Sequence, residues 1–138
     1  MATVIDLTAE LAKLTLLRGR TPQTTSADRG ASSAQLAPYR DGAIFTSKFS
    51  GKGAWERHMK GDEFVQILDG SATLDIVAGD GPPQSFSVRA GMVAIVPQGA
   101  WHRFISSDGV TVMTATPQPT DHIRLDVDDP RKVEPQPV

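Results

Sequence analysis

The order of hydrophobic and polar positions divides this chain into a helical start, a long run of short strands and an irregular tail. Leu7, Leu11 and Leu14 recur at helical spacing within residues 6–18, and this periodicity predicts a short amphipathic helix there. Residues 20–37 are rich in Ser, Thr, Ala and Gln and have no period. We interpret them as a linker or an extended arm.

From about residue 42 the pattern changes to short apolar runs separated by frequent turns. Clusters such as Gly51-Lys52-Gly53 and Asp69-Gly70 separate the runs, as is typical of strand boundaries. The predicted strands lie at residues 43–49, 54–58, 63–69, 71–77, 84–88, 92–96, 101–105 and 110–116. So many short strands without intervening helices indicate an all-β sandwich or barrel.

The last part of the chain differs from both of the preceding regions. Residues 117–138 hold five of the ten prolines and several aspartates, so we expect an extended tail that is disordered at its end. A length of 138 residues fits one domain. The predicted organisation is an N-terminal helix and linker arm over 1–37, a barrel over 38–118 and an extended Pro/Asp-rich tail over 119–138.

Composition and charge exclude several classes of function. Hydrophobic residues make up 39% of the chain and charged residues 22%, as in an ordinary globular protein. The net charge of −2 gives no electrostatic footprint for nucleic acid or an anionic membrane. The absence of cysteine excludes disulfides, a cysteine nucleophile and thiolate metal ligands. With no long apolar run and no secretory signal, we expect a cytoplasmic protein.

Two segments near the middle of the chain place metal-binding side chains at fixed spacings. Glu56, His58, Glu63 and Gly70 follow the pattern E-x-H-x4-E-x6-G, and a second segment, G-x5-P-x-G-x2-H, ends at His102. Strand alternation puts Glu56 and His58 on one face. If the ligand-bearing faces all look into one barrel, His58, Glu63 and His102 converge with Glu56 beside them. Nitrogen and oxygen donors on a rigid scaffold suit a divalent transition metal.

These two segments resemble the two motifs of the cupin superfamily. His58, Glu63 and Gly70 match the second histidine, the glutamate and the closing glycine of the first family motif. The residues that match the second family motif are Gly91, Pro97, Gly99 and His102. The resemblance covers roughly residues 42–116. It implies a double-stranded β-helix, or jelly-roll barrel, over 38–118, and the pairing of two barrels into a homodimer.

The chain departs from the family pattern at two positions. Glu56 stands where the family usually has its first histidine, and Ser106 where it usually has an asparagine. If Glu56 is a fourth ligand, the set of two histidines and two carboxylates favours Fe(II) or Mn(II), with Ni(II) or Zn(II) as the other candidates. If Glu56 is instead an unbound general acid or base, His58, Glu63 and His102 form a two-His, one-carboxylate set with open positions for substrate.

Strand parity also assigns roles to the neighbours of these residues. The side chains expected to form an apolar wall of the substrate pocket are Val65, Ile67 and Phe104. Trp55 and Trp101 have the opposite parity to the ligands, so we expect them to pack on the other face. His122, alone in the tail, is expected to be an exposed residue rather than a ligand.

The spacing and the resemblance together lead to a hypothesis about function. We expect a metal-dependent enzyme of the dioxygenase or the isomerase/lyase type, acting on a small organic molecule, with one divalent transition metal per chain. The alternative from a different class is a non-catalytic module that binds a small ligand or a metal. The expected partners are a small-molecule substrate or ligand and a second copy of the chain, with no nucleic acid and no membrane.

Overall fold

The computed structural model describes residues 2–135, which are built mainly from strands. The strands in this part of the chain are β1 Leu17–Arg20, β2 Ser33–Tyr39, β3 Gly42–Lys52, β4 Trp55–His58, β5 Glu63–Val77, β6 Gln84–Arg89, β7 Val93–Val96, β8 Trp101–Pro117 and β9 Thr120–Ile123. The short helices are α1 Leu7–Ala12 and α2 Ser26–Arg29, with 3-10 turns at Gly30–Ser32 and Pro130–Lys132. The all-β prediction is confirmed. Among the described helices, none is long and apolar enough to cross a membrane.

The two longest strands, β5 and β8, form the frame of the barrel. They pair antiparallel along most of their lengths, with β6 and β7 also bound to β5 and with β3 and β4 bound to β8. Each long strand joins two strands that were predicted separately. The reason is visible at Gly70, which has φ 74° and where a Cβ would collide with the carbonyl of Gly109. Glycine there bends the strand at a close crossing instead of ending it.

The barrel interior and the outer face near its end hold separate apolar clusters. The buried members of the interior cluster are Phe49, Val65, Ile67, Leu74, Ile76, Val88, Val96, Ala100, Val110 and Val112. The smaller cluster consists of Trp55, Val77, Trp101 and Ile123, with Val127 and Val133 packed against it. The two tryptophans therefore pack away from the ligand face, as parity predicted, and it is the C-terminal tail that covers them.

Both chain ends are more ordered than the sequence pattern predicted. The N-terminal helix ends at Ala12 rather than continuing to residue 18, because Leu17 belongs to β1, which pairs in parallel with β3. The expected linker over 20–37 contains α2 and most of β2, and β2 pairs with β3. The expected tail begins with β9, which pairs with β4. We expected disorder at the end of the tail, and its last residues, 136–138, lie outside the described residues.

Candidate metal centre

The four residues of the predicted metal set lie on three strands that meet at one end of the barrel. Glu56 and His58 are on β4, Glu63 begins β5 and His102 is near the start of β8. Glu56 pairs directly with His102 across the β4–β8 ladder. The amide of Gly99 donates to the carbonyl of His58 at 2.9 Å, which fastens the turn of the second motif to the strand of the first.

The side chains of these residues converge. Glu63 lies between the two imidazoles, with Oε2 3.2 Å from His58 Nε2 and Oε1 3.1 Å from His102 Nε2. Glu56, His58 and His102 each offer a ligand atom, and these three atoms lie within 4.8 Å of one another. The structure thus brings together all four residues that the spacing singled out: Glu56, His58 and His102 form a group that could hold a metal ion, and Glu63 contacts both imidazoles of that group.

In both histidines Nε2 is the nitrogen that is placed to bind a metal ion. His58 Nε2 is buried and has no hydrogen-bond partner among the described residues, because its contact with Glu63 is not angled as a hydrogen bond. The Nδ1 of His58 lies 3.0 Å from Thr120 Oγ1, and the Nδ1 of His102 lies 3.4 Å from the carbonyl oxygen of Ala100. A carbonyl only accepts, so it favours a proton on Nδ1 and leaves the Nε2 lone pair for a metal. The donor set therefore fits a divalent ion.

Glu63 and His102 shift each other's protonation. Burial raises the pKa of Glu63, but the adjacent imidazoles of His102 and His58 lower it more, so its pKa lies well below the usual range. Thr116 also donates to Glu63 Oε2 at 2.6 Å. Burial lowers the pKa of His102, and Glu63 then raises it above the usual value. A proton and a divalent ion therefore compete for Nε2 of His102.

Glu56 is held as a carboxylate chiefly by Arg20, and His122 is its second neighbour. Its Oε1 lies 3.6 Å from Arg20 Nη2 and 3.8 Å from His122 Nε2. Burial raises the pKa of Glu56, but Arg20 and then His122 lower it more, so its pKa lies below the usual value. An ionised carboxylate can bind a metal or accept a proton, and it has no proton to donate.

Sequence reasoning missed both of these neighbours of Glu56. The expectation that His122 is exposed was wrong: only 8% of the residue is exposed, because the β4–β9 ladder places it directly opposite Glu56. Arg20 comes from β1, far from the motifs in sequence, and its side chain is 11% exposed. The one local signal for β9 is that Thr120 and His122 share one face of a strand while the buried Ile123 lies on the other. A pattern of four residues is too short to identify a strand.

A cavity of about 370 Å³ lies beside the metal group. Its lining residues are Arg20, Ser26, Arg29, Ser33, Phe45, Ser47, Phe49, Glu56, Glu63, Phe104, Val112, Thr114, Thr116, Gln118, Pro119, Thr120 and His122. Of the predicted apolar wall, Phe104 lines this cavity. Val65 and Ile67 do not, and here the sequence interpretation is corrected: they are 0% and 1% exposed and pack within the core, away from the cavity wall.

Comparison with known proteins identifies the fold. The family model described as a cupin domain matches residues 44–116, which is more than half of the chain. None of the curated protein sequences matches. A solved protein from Neisseria meningitidis is 20% identical with TM-score 0.61, covering 84% of this chain and 100% of that one. A cupin-2 domain protein from Shewanella frigidimarina is 21% identical with TM-score 0.59, covering 83% and 95%.

A third solved structure is that of an enzyme, hydroquinone 1,2-dioxygenase from Sphingomonas sp. TTNP3 with 4-hydroxybenzoate bound. It is 19% identical with TM-score 0.52, and the match covers 63% of this chain and 65% of that one. At such identities the likeness to solved structures shows a shared fold and no shared activity. The predicted jelly-roll barrel and the resemblance of the two motifs are both confirmed. By the family match over more than half of its length, the chain belongs to the cupin family.

Proposed function

We propose that this cupin is a metal-dependent enzyme acting on a small organic molecule. The observation that carries the proposal is the cavity of about 370 Å³ whose wall includes both Glu56 and Glu63. A molecule in this cavity would touch the carboxylates of the metal group. The volume lies in the range of small-molecule pockets. A purely structural metal site is closed by its protein ligands and needs no adjoining cavity.

The residues that would hold the ion are His58, Glu63, His102 and Glu56. Two imidazoles and two carboxylates favour Fe(II) or Mn(II), with Ni(II) or Zn(II) as the alternatives. Such an ion supplies a Lewis acid for a substrate carbonyl or hydroxyl, and a redox-active ion also supplies electrons for reaction with oxygen.

Glu56 has two possible roles, and both require the carboxylate that the structure favours. As the fourth ligand it would complete the donor set of His58 and His102, to which it is close enough. As a general base it would take a proton from a substrate in the cavity, whose wall it forms. We favour the ligand role because three potential ligand atoms within 4.8 Å of one another suit a shared ion.

The polar and aromatic side chains around the ion would support the reaction. Thr116 holds Glu63 in place through its 2.6 Å hydrogen bond, and Thr120 orients His58. The aromatic rings of Phe49 and Phe104 pack edge to face with centroids 6.1 Å apart. Since both rings also line the cavity, they would exclude water from one side of a bound substrate.

The proposal requires a coordination position that is open to the cavity, and this is directly testable. Protein reconstituted with Fe(II) under anaerobic conditions should bind nitric oxide and give the electron paramagnetic resonance signal of a ferrous–nitrosyl site. The matched control is His102→Ala, in which the signal should be lost with the metal. Stoichiometric Fe(II) that gives no nitrosyl signal would contradict catalysis and favour a non-catalytic metal-binding module.

The metal dependence of turnover then separates the two reaction types. Oxygen consumption that requires Fe(II) and stops with Zn(II) would assign the dioxygenase type. Turnover without oxygen in the Zn(II) form would assign the isomerase/lyase type, in which the ion acts only as a Lewis acid. In both cases activity should be absent from His102→Ala.

A further inference from the structure

One part of the cavity wall comes from outside the barrel motifs. Arg20 on β1 and Arg29 at the end of α2 line the cavity together with two serines of the same N-terminal segment, Ser26 and Ser33. The proposed metal chemistry uses Arg20 only to keep Glu56 ionised, and it gives the other three residues no role. Their presence beside the metal group therefore calls for a separate explanation.

Arg20 is a buried cation whose hydrogen-bonding capacity is largely unused. Its contact with Glu56 is 3.6 Å long, beyond ordinary hydrogen-bond distance. Its Nε is buried and has no partner in the described part of the chain. The guanidinium lies over the ring of Phe49, 4.9 Å from the centroid, which fixes its position. Buried guanidinium groups are normally paired and hydrogen-bonded, so Arg20 is suited to a further acceptor.

A second positive charge lies near the first. Arg29 is half-buried, and its side chain makes only a long 3.4 Å contact with Ser26 Oγ among the hydrogen bonds of the described residues. Arg20 also lies within electrostatic range of both Arg29 and Arg124. Two arginines on one cavity wall repel each other unless an anion lies between or beside them.

The charges of the cavity balance only when an anion is added to the metal. Glu56 and Glu63 carry two negative charges, which a divalent ion would neutralise. Arg20 and Arg29 would then face the cavity without compensation. A guanidinium matches the planar carboxylate group and can bind it through two parallel hydrogen bonds. An apolar substrate body has a place as well, because further lining residues are Phe45, Phe49 and Phe104.

We propose that the substrate is a small organic carboxylate and that Arg20 and Arg29 bind its carboxylate group. This inference rests on the proposed function, since it names the substrate class of the same cavity. It makes Arg20 and Arg29 substrate-binding residues that determine specificity. The competing explanation is that Arg20 only neutralises Glu56 and has no ligand of its own.

Binding can be measured without turnover. Zn(II)-loaded protein is titrated calorimetrically with benzoate and with succinate, and in parallel with the neutral benzamide and succinamide and with inorganic phosphate. At least one carboxylate should bind about tenfold or more tightly than its amide, as expected for a charge-assisted hydrogen bond. Phosphate should bind more weakly than that carboxylate, because it offers no apolar body to the aromatic rings.

Variants distinguish the arginines from direct binding to the metal. Arg20→Gln should remove most of the preference for carboxylate over amide, and Arg29→Gln should reduce it. Arg18→Gln is the matched control, because Arg18 is exposed on the same strand and does not line the cavity. Arg20→Lys keeps the charge without the planar fork and should give an intermediate preference, so it serves as the test if Arg20→Gln does not fold.

The proposal is overturned if no carboxylate binds more tightly than its amide, if phosphate binds most tightly, or if the preference is undiminished in both Arg20→Gln (or Arg20→Lys, where Arg20→Gln does not fold) and Arg29→Gln. The last result would mean that the carboxylate binds the metal alone. Metal content is measured on the same samples, so the two proposals can fail separately. If the protein holds Zn(II) but does not discriminate between carboxylates and amides, only the carboxylate proposal fails. If the protein holds no metal yet binds carboxylates through Arg20, only the proposal of a metal-dependent function fails.

Discussion

The barrel strands and the two chain ends contribute different parts of the same site. The barrel region, Gly42–Pro117, supplies every member of the metal group and fixes their spacing through the β4–β8 and β5–β8 ladders. The ends supply what surrounds that group: Arg20 and Arg29 from the N-terminal side, and Thr120 and His122 from the C-terminal side. From this difference we infer that the barrel supplies the atoms that would hold an ion, and we propose that the ends orient these ligands and control what approaches them.

The ends can do this because they are bound to the barrel and to each other. β1 adds to β3 in parallel and β9 adds to β4 antiparallel. Between the ends, Gln23 donates from Nε2 to the carbonyl of Arg124 at 2.9 Å, and Arg124 donates from Nη1 to the carbonyl of Thr24 at 2.9 Å. These contacts, between residues 101 and 100 positions apart in sequence, join the segment that carries Arg20 to the segment that carries His122.

The largest expected effect separates the histidines of the barrel from the histidine of the tail. His58→Ala and His102→Ala each remove a ligand, so we expect metal content to fall from about one ion per chain to near zero after dialysis. His122→Ala should retain the metal, because His122 contacts Glu56 at 3.8 Å and does not belong to the group formed by Glu56, His58 and His102. Elemental analysis measures all three. Loss of metal from His122→Ala alone would show that a histidine of the tail, and not those of the barrel, holds the metal.

The next effect tests whether the tail is docked by packing. Ile123 is 0% exposed in the cluster with Trp55 and Trp101. Ile123→Ala should reduce the free energy of unfolding by about 2–5 kcal/mol, the usual cost of such a cavity. Leu125→Ala is the matched control, since Leu125 is 44% exposed and should cost less than about 0.5 kcal/mol. Urea denaturation gives both values, and equal values for the two variants would show that the tail is not packed as described.

A smaller effect concerns the orientation of a ligand by a residue of the tail. Thr120→Val keeps the shape of the side chain but removes the hydroxyl that lies 3.0 Å from His58 Nδ1. We expect metal affinity to fall by about 10–100-fold, the usual cost of losing the partner of a metal-binding histidine. Thr120→Ser should restore most of it. The measurement is a competition titration with a chelator, and an unchanged affinity in Thr120→Val would confine metal binding to the barrel residues.

The same division explains how much could be predicted from the sequence. His58, Glu63 and His102 were predictable because strand alternation and motif spacing fix their direction and separation. The strands of the barrel region were predictable too, except that glycines at the turn signals bend β5 and β8 instead of ending them, whereas β1, β2 and β9 were not predicted. Arg20 was not predictable, since its place depends on the parallel pairing of a four-residue strand with β3. The residues of so short a strand do not show which distant strand it will pair with.

The smallest expected effect tests whether charge or packing attaches the tail. Arg57 Nε donates to Asp121 Oδ2 at 2.9 Å, linking β4 to β9, and the guanidinium lies 4.4 Å from the ring centroid of Trp101. The two side chains of the ion pair are 27% and 35% exposed, so solvent screens their attraction. Asp121→Asn should therefore cost only about 0–1 kcal/mol of unfolding free energy, and less at high salt. A cost as large as that of Ile123→Ala would mean that the ion pair, rather than the buried cluster, holds the tail and its histidine against the barrel.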